Sequence, residues 1–446
     1  MQKFNLNQLK QLFTNYSGKI DEKNIFEVFT DSRKQVKNGL FVPIIGDKFD
    51  AHEFIPEAIK NGAVAILSSR RYLEGVEDNF PVFYVNDTTE GLQQLATFYR
   101  ELINPIVVGI TGSNGKTTTK EIVANCLSST YKVWKTQGNL NNHIGLPMTV
   151  LDMDVNTEAL VVEMGMSAFG EIELLSNIVK PDYGIITNIG ESHIEHLGSR
   201  EGIAKAKLEI TSGFREESVL IIDGDEPLLE GQHTKNNLTC GFSSDNDYII
   251  ENINQGNEST SFQINDQSIE IPLLGKHQAK NTAFAYALCK CLNLDTEKVI
   301  NQLRHIELPS MRFEQLKSKH GFTIINDAYN ASSTSMIASI DVLKQMNFIK
   351  KIVVLGDILE LGDYAISDHE RVGQAIDSNI DAVYTVGDVS RHILNGLPSG
   401  FNGEKKHFND KTTLADYLEK QIDEDTVILF KASRGIELEK VIDQLK

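Results

Sequence analysis

One segment constrains the fold of this chain more than any other. Residues 106–127 read IVVGITGSNGKTTTKEIVANCL. The β-branched, apolar start predicts a buried strand, a glycine-containing loop follows, and a helical pattern comes next. Glycines let the backbone N–H groups of such a loop curl around phosphate oxygens, and the start of the helix adds partial positive charge. The segment therefore predicts a phosphate-binding loop, formed by Gly112, Ser113, Asn114, Gly115, Lys116, Thr117 and Thr118.

Two side chains of this loop have specific expected roles. We expect Lys116 to reach the terminal phosphates of a nucleotide, and the hydroxyl of Thr117 to bind Mg²⁺. The common G-x4-G-K-[ST] pattern has a glycine where this chain has Ile110, so the shorter TGxxGKTT form is present.

The rest of the chain alternates short apolar runs with helical patterns, which predicts an α/β protein. Its 446 residues are enough for about three domains. We expect an N-terminal domain over 1–104, a central domain over 105–308 and a C-terminal domain over 309–446 with a Rossmann-like rhythm. No GxGxxG follows a predicted strand, so a dinucleotide cofactor is not indicated. Strands are predicted at 39–44, 63–67, 105–110, 159–164, 183–189, 322–327, 351–357, 382–388 and 426–432.

The charge balance narrows the class of partner. Lys and Arg number 43 and Asp and Glu 62, which gives a formal net charge of −19. Binding to nucleic acid or to an anionic membrane needs clustered positive charge, so neither partner is expected. No run approaches the roughly 18 apolar residues of a membrane span, and the N-terminal residues lack the pattern of a secretory signal. The four cysteines form no CxxC pair. We expect a cytoplasmic protein with reduced thiols.

Two more predicted strands end in polar residues that suit a metal site. Glu163 lies at the end of one strand, and His193 lies just beyond another. The carboxyl ends of parallel strands line the ligand crevice of an open α/β sheet. Glu163 and His193 are therefore expected to converge on the Mg²⁺ held by Thr117, although Mg²⁺ prefers oxygen ligands.

Taken together, these segments resemble the Mur ligase family, the ATP-dependent amide-forming enzymes of peptidoglycan synthesis. The resemblance covers nearly the whole chain. It is carried by TGSNGKTTTKE (111–121), GNLNNHIGLPMTVL (138–151), VVEMG (161–165), NIGESHIEHLG (188–198), AKLEI (206–210), GKHQAKNTAFAYAL (275–288), MRFE (311–314) and INDAYNASSTSM (325–336).

The resemblance implies roles for further residues. Lys205 and Lys207 point to opposite sides of a predicted helix, and on pattern alone both read as solvated lysines. The family motif selects Lys207 as a lysine that becomes carbamylated and binds the metal. Asn281 is implied to contact adenine. Further nucleotide contacts are implied for Arg312, Asp327, Tyr329 and Asn330.

The N-terminal and C-terminal motifs narrow the expected substrates. Residues 31–63 resemble a UDP-sugar domain, in which Ser32 and Arg33 meet the nucleotide-sugar. Several C-terminal motifs favour the family member that joins D-alanyl-D-alanine to UDP-N-acetylmuramoyl-tripeptide. The remaining implied substrate contacts are Asn139, Asn142, Lys431, Ser433 and Arg434. Three motifs depart from the family, which usually has DGH at 50–52, NANP at 330–333 and KGSR at 431–434 where this chain has DAH, NASS and KASR.

The implied reaction activates a carboxylate with ATP as an acyl phosphate, which an amine then attacks. Lys116, Lys207 and His193 are the residues expected to take part in catalysis. The alternatives are a diamino-acid-adding ligase of the same family, a phosphate-loop kinase or GTPase-like switch, and a non-catalytic binding protein built on a ligase scaffold. The resemblance implies a monomer.

Overall fold

The computed structural model describes residues 3–46, 48–231, 236–421 and 424–446. The α/β class predicted from the sequence is confirmed, since helices alternate with strands in three main sheets of five, nine and six strands. No helix within these ranges is long and apolar enough to cross a membrane. The predicted domain boundaries at 104/105 and 308/309 stay predictions.

The first sheet belongs to the N-terminal part of the chain. Its order is β2-β7-β6-β5-β4, and a separate pair joins β1 to β3. Helix α3 packs on this sheet and leads directly into the central part, where Tyr99 donates a hydrogen bond of 2.9 Å to the carbonyl of Met153. The elements are β1 (Phe4–Asn5), α1 (Leu6–Leu12), β2 (Tyr16–Ser17), β3 (Asn24–Ile25), β4 (Glu27–Phe29), β5 (Gly39–Phe41), α2 (Ile55–Lys60), β6 (Ala63–Ser68), β7 (Val82–Tyr84) and α3 (Thr88–Ile103).

The central sheet has the order β16-β15-β14-β13-β12-β11-β8-β10-β9. Strands β8 to β13 pair in parallel, and β14 to β16 add two antiparallel hairpins at one edge. The elements are β8 (Ile106–Thr111), α4 (Lys116–Leu127), β9 (Val133–Lys135), α5 (Gly145–Asp152), β10 (Ala159–Glu163), α6 (Glu171–Val179), β11 (Tyr183–Ile186), α7 (Ile194–Leu197), α8 (Arg200–Leu208), β12 (Val219–Asp223), β13 (Asn237–Gly241), β14 (Tyr248–Gln255), β15 (Thr260–Ile264), β16 (Gln267–Ile271), α9 (Lys276–Cys291) and α10 (Thr296–Leu303).

Strand β8 explains where the crevice of this sheet lies. It pairs in parallel with β10 on one side and β11 on the other, so Val108 lies opposite both Val161 and Tyr183. The chain order reverses at this strand, which is where α/β sheets open a ligand crevice at the carboxyl ends. The strand is a nearly continuous apolar run because helices cover both faces of the sheet.

The third sheet has the order β17-β18-β22-β19-β20-β21, with β17 antiparallel at the edge and the rest parallel. The predicted linker 308–314 ends where β17 begins. The elements are β17 (Glu314–Lys317), β18 (Thr323–Asn326), α11 (Ser333–Gln345), β19 (Lys350–Gly356), α12 (Ala365–Gln374), β20 (Ala382–Val386), α13 (Arg391–Asn395), β21 (Glu404–Phe408), α14 (Lys411–Gln421), β22 (Thr426–Lys431) and α15 (Glu439–Leu445). Five short 3-10 turns lie at Ala51–Phe54, Glu209–Gly213, Pro227–Leu229, Gly362–Tyr364 and Arg434–Ile436.

Candidate active site

The predicted phosphate loop connects the end of β8 to the start of α4. Gly112 has φ 147° and Gly115 has φ 80°, both in the region that side chains rarely adopt. A Cβ on Gly112 would lie 1.8 Å from Thr187 Oγ1, so the loop has no room for a larger residue there. Gly115 stands immediately before the first residue of α4, so the positive end of the helix dipole lies at the loop.

Residues after β11 hold this loop in shape. The backbone N–H of Asn114 donates to Asn188 Oδ1 at 2.9 Å, and Thr187 Oγ1 donates to the carbonyl of Asn114 at 2.6 Å. Ser113 Oγ accepts a bond from the N–H of Gly190 at 2.8 Å. These side chains replace water as partners of the loop, so its curvature is fixed by the protein itself.

Lys116 projects from the first position of α4 into the loop. Its Nζ donates to the carbonyl of Gly112 at 2.8 Å, which folds the side chain back over the loop. Withdrawal from water lowers the pKa of the Lys116 ammonium; Glu163 raises it and Arg312 lowers it further. A phosphate placed in this loop would meet the ammonium directly.

Thr117 and Glu163 form an oxygen-rich contact beside Lys116. Thr117 Oγ1 donates to Glu163 Oε2 at 3.0 Å, and Asn141 Nδ2 donates to Glu163 Oε1 at 2.9 Å. A buried carboxylate and a hydroxyl are ligands that Mg²⁺ takes in proteins while keeping several waters. Among the described residues no group of three or more His, Cys, Asp or Glu side chains is placed to hold a metal.

His193 lies on the wall of the same cavity, just after β11, but its Nδ1 has a protein partner. The partner is Glu360 Oε2 of the C-terminal part, at 2.6 Å. Both residues have positive φ, 65° for His193 and 62° for Glu360. Such conformations cost about 1 to 3 kcal/mol each and are retained where the surroundings determine them. Burial lowers the pKa of His193, and Glu360 opposes this shift.

Lys205 and Lys207 lie on different sides of helix α8. Lys207 is 2% exposed, whereas Lys205 is exposed and its Nζ lies 5.8 Å from the centre of the Phe169 ring. Burial and the positive charge of Lys116 hold the pKa of Lys207 well below its usual value. Lys207 is thus a buried amine near the phosphate loop that is readily neutral.

Arg312 extends from the C-terminal part onto the phosphate loop. Its Nη2 donates to Thr117 Oγ1 at 3.0 Å, and its guanidinium lies 4.0 Å from the centre of the Tyr329 ring. The residues on either side, Met311 and Phe313, have φ of 65° and 53°, so strained backbone on both sides aims this arginine.

Asp327 and Lys431 form a buried ion pair in the cavity wall. Lys431 Nζ lies 2.6 Å from Asp327 Oδ2 and donates at 3.2 Å to the carbonyl of Asn330. Ser339 Oγ also donates to Asp327 Oδ2, at 2.7 Å. Lys431 and Arg434 were both predicted to contact substrate. The structure separates them, because Lys431 ends β22 in the cavity wall whereas Arg434 lies beyond the strand and outside the cavity.

The other two predicted residues of the 431–434 motif differ in exposure, since Ser433 is buried and Arg434 is exposed. The guanidinium of Arg434 is 56% exposed and pairs with Glu439 at 2.9 Å. Ser433 Oγ accepts a bond from the N–H of Leu359 at 2.9 Å, which ties the end of β22 to the segment after β19.

A cavity of about 570 Å³ is lined by most of these groups, but not by Lys207, Ser433 or Arg434. The central domain contributes one wall and the segments 308–339 and Lys431 the other. A second cavity of about 350 Å³ adjoins it at Gln278, Leu308, Arg312 and Phe313. The predicted residues on the wall of the larger cavity are Ser113, Asn114, Gly115, Lys116, Thr117, Thr118, Asn142, Glu163, His193, Asn281, Arg312, Asp327, Tyr329, Asn330 and Lys431.

Ser32, Arg33 and Asn139 lie away from this wall. Ser32 Oγ donates to Glu57 Oε2 at 2.5 Å, and the exposed Arg33 pairs with Asp31 at 2.8 Å. Asn139 is exposed on the loop before α5. Asn142 Oδ1 accepts a bond of 2.8 Å from the N–H of Gly145 at the start of α5, so this residue also has a local capping role.

Several residues of the site were not selected from the sequence. Asn141, rather than Asn139 or Asn142, contacts Glu163. His277 and Gln278 line the cavity within the 275–288 motif, and burial lowers the pKa of His277 to about 4. The quoted motifs contained all three, but a motif alone does not show which of its polar residues points inward.

Comparisons with known proteins match most of the chain. Residues 110–289 match the Mur ligase middle domain, and residues 311–434 match the Mur ligase glutamate ligase domain. The chain is 44% identical over 426 residues to UDP-N-acetylmuramoyl-tripeptide–D-alanyl-D-alanine ligase of Bacillus subtilis, covering 94% of this chain and 93% of that protein. Identity to the Escherichia coli enzyme of the same name is 33%, over 98% of each chain.

Solved structures show the same architecture over nearly the full length. MurF from Acinetobacter baumannii matches with a TM-score of 0.89 and 29% identity, over 99% of this chain and 98% of that one. MurF ligase from Thermotoga maritima in complex with ADP matches with a TM-score of 0.83 and 31% identity, over 94% and 96%. The resemblance drawn from the sequence is confirmed, and the chain belongs to the Mur ligase family.

Proposed function

We propose that this protein is an ATP-dependent ligase that joins D-alanyl-D-alanine to UDP-N-acetylmuramoyl-tripeptide in the synthesis of peptidoglycan precursors. One observation carries the proposal: the cavity combines a phosphate loop with Arg312 and Asp327 from the C-terminal part. A phosphate-loop kinase or switch does not explain why the C-terminal part contributes Arg312 and Asp327 to the cavity. The relatives named above carry this ligase's name, which favours it over the diamino-acid-adding alternative.

The chemistry needs positive charge where a phosphoryl group leaves ATP for the substrate carboxylate. Attack by a carboxylate oxygen on the γ-phosphorus forms an acyl phosphate and releases ADP. The dipeptide amine then attacks the carbonyl carbon, loses a proton and expels phosphate. Lys116 and the backbone N–H groups of the loop stabilise the transferring group, and Arg312 adds a second cation beside Thr117.

Thr117 and Glu163 are the side chains we propose to hold Mg²⁺. Their oxygen ligands fit the ion, and Asn141 orients the carboxylate. Bound there, Mg²⁺ would neutralise charge on phosphate oxygens. His193 borders the same space, but its Nδ1 is paired with Glu360 and only the opposite ring nitrogen is left for a ligand.

Lys207 is the residue we propose to be carbamylated. The unprotonated amine attacks CO₂, an N–C bond forms and one proton leaves, which gives an anionic carbamate. Burial beside Lys116 favours the neutral amine that this step needs. The carbamate also places an anion near the Lys116 ammonium, which is an attraction.

The remaining predicted substrate residues are proposed to contact different parts of the substrates. Ser32 and Arg33 suit the nucleotide-sugar in the N-terminal part, and Asn139 and Asn142 suit the peptide at the mouth of the cavity. Ser433 and the exposed Arg434 suit the dipeptide carboxylate. Lys431 is better suited to the nucleotide side, because it pairs with Asp327. The monomeric state and the cytoplasmic location stay predictions.

The test is an acceptor assay with the purified protein, ATP, Mg²⁺ and the UDP-tripeptide. Phosphate release and product mass are measured with D-alanyl-D-alanine, meso-diaminopimelate or lysine as the amine. We expect amide product and phosphate in equal amounts with D-alanyl-D-alanine only. Equal rates with a diamino acid would reject the acceptor, and phosphate release without an amide product would reject the ligase.

A further inference from the structure

A charged contact between the central and C-terminal parts lies beside the site but takes no part in the chemistry above. Glu191 follows β11 and is 8% exposed. Its Oε1 pairs with Arg371 Nη2 of α12 at 2.9 Å, and its Oε2 accepts a hydrogen bond from Thr334 Oγ1 of α11 at 2.7 Å. Both carboxylate oxygens of a central residue therefore have partners in the C-terminal part.

The same arginine is bonded to the start of α11. Arg371 Nη2 donates to Ser333 Oγ, at the first position of that helix. The residue before it, Ser332, donates from Oγ to Asn114 Oδ1 of the phosphate loop at 3.1 Å. Thr334 lines the main cavity. Arg371 thus connects Glu191 to the stretch of chain that lies against the loop.

Burial makes this contact dependent on how the two parts are arranged. A carboxylate withdrawn from water is costly unless charged or hydrogen-bonding partners replace the water. Glu191 receives them only when α11 and α12 sit against the central sheet. Asp368 Oδ1, 3.6 Å from Arg371 Nη2, keeps the arginine on that side of α12. The contact therefore stabilises one arrangement of the two parts over a separated one.

We propose that Arg371 is a positioning residue for the ligation. By pairing with Glu191, it holds the start of α11, and with it the C-terminal wall of the cavity, against the phosphate loop. The inference rests on the proposed function for its effect on turnover, but the effect on the position of α11 is independent of the reaction.

The test compares Arg371→Met, Arg371→Lys, Glu191→Gln and the double variant Glu191→Gln/Arg371→Met with the wild-type protein. Arg391→Met, a change at an exposed arginine of the same part of the chain, is the matched control. Steady-state ligation gives kcat and KM for ATP, and thermal melting reports stability. Hydrogen exchange of residues 332–345, without nucleotide, reports how firmly α11 is held.

Arg371→Met removes the charged partner of the buried Glu191 carboxylate, which predicts a fall in kcat/KM of at least about tenfold. We expect faster hydrogen exchange at 332–345 in Arg371→Met, and values of kcat/KM and exchange between wild type and Arg371→Met for Arg371→Lys. The double variant should lose little more activity than the more damaging single variant, because both substitutions remove the same contact. Arg391→Met stays at the wild-type value.

Three results would overturn the inference: Arg371→Met within twofold of wild type, strictly additive losses in the double variant, or unchanged exchange at 332–345. If Arg371→Met fails to fold, Arg371→Lys and Glu191→Gln decide by the same criteria. A wild-type protein that makes no product, while its variants still change exchange at 332–345, would reject the proposed function and leave the positioning role supported.

Discussion

The phosphate loop and the C-terminal wall of the cavity are built in opposite ways. The loop is one continuous segment between β8 and α4, and its supporting bonds come from the adjacent strand end at 187–190. The C-terminal wall is assembled from Arg312, residues 327–339 and Lys431, which are far apart in the sequence. One wall is formed by local geometry and the other by the packing of a separate sheet.

This difference separates the residues that are in place for the reaction from those whose position depends on docking of the C-terminal part. The loop, Thr117 and Glu163 keep their geometry through contacts within the central sheet. Arg312 and Ser332 reach that geometry only through docking of the C-terminal part. A nucleotide can therefore meet the loop in any arrangement, but the complete set of charges exists only when the two parts are in contact.

The largest expected effect comes from the loop itself. Lys116→Ala should lower product formation by about 10³-fold or more, because the lysine supplies charge during phosphoryl transfer that backbone N–H groups do not replace. Product is followed by mass, and Lys132→Ala, a change at an exposed lysine after α4, serves as the control. Activity near the wild-type level in Lys116→Ala would mean that ATP reacts elsewhere.

The second effect tests the buried lysine of α8 against its exposed neighbour. Lys207→Ala should lose about 10²-fold in activity, in line with the loss of one preorganised charged group, while Lys205→Ala should lose little. Added acetate or another short carboxylate should restore part of the activity of Lys207→Ala, since it replaces the carbamate. Equal losses in both variants without rescue would reject the assignment.

The third effect tests the C-terminal wall. Arg312→Ala should lower kcat/KM by about 10- to 100-fold, the range for losing a hydrogen bond to a charged group. Arg312→Lys keeps the charge but not the planar stacking on Tyr329, so it should recover only part of the loss. If Arg312→Ala kept wild-type kinetics, the loop alone would be the nucleotide site, and the C-terminal wall would have no part in it.

The smallest expected effect comes from a second contact between the central and C-terminal parts, which is made by neutral hydrogen bonds. Asn257, in the turn after β14, accepts a bond at Oδ1 from the N–H of Asn347 at 2.8 Å, and Gln255 Nε2 donates to the carbonyl of Val342 at 3.0 Å. A neutral exposed hydrogen bond contributes about 0.5 to 1.5 kcal/mol, so Asn257→Ala should cost about two- to tenfold in kcat/KM. Asp266→Ala, in the next turn of the same sheet edge, is the control.

Sequence reasoning predicts the first wall much better than the second. The α/β class, the strand before the loop and the glycines at 112 and 115 follow from local patterns, and the structure has them. The inward turn of Lys431 toward Asp327 depends on which strands become neighbours. The antiparallel hairpins β14–β16 were missed because β14 is polar and exposed over most of its length, and β15 and β16 are short alternations of buried apolar and polar residues.

The partners of single polar residues are likewise not predictable from the sequence. Glu191 and Asn141 were both inside quoted motifs, yet nothing in the sequence assigns a partner to either. Their partners, Arg371 and Glu163, are 180 and 22 residues away and are brought close by docking of α12 and by the pairing of β9 with β10. Motifs locate the site, and packing decides which of their side chains contact it.

In the proposed reaction, both walls of the cavity act together to activate a carboxylate by phosphoryl transfer. The most direct test labels both oxygens of the reacting carboxylate of the UDP-tripeptide with ¹⁸O and follows ligation in unlabelled water. An acyl phosphate predicts one ¹⁸O in each phosphate released and one retained in the amide product. Product formed with unlabelled phosphate would contradict the account, since the oxygen that leaves with phosphate must come from the carboxylate.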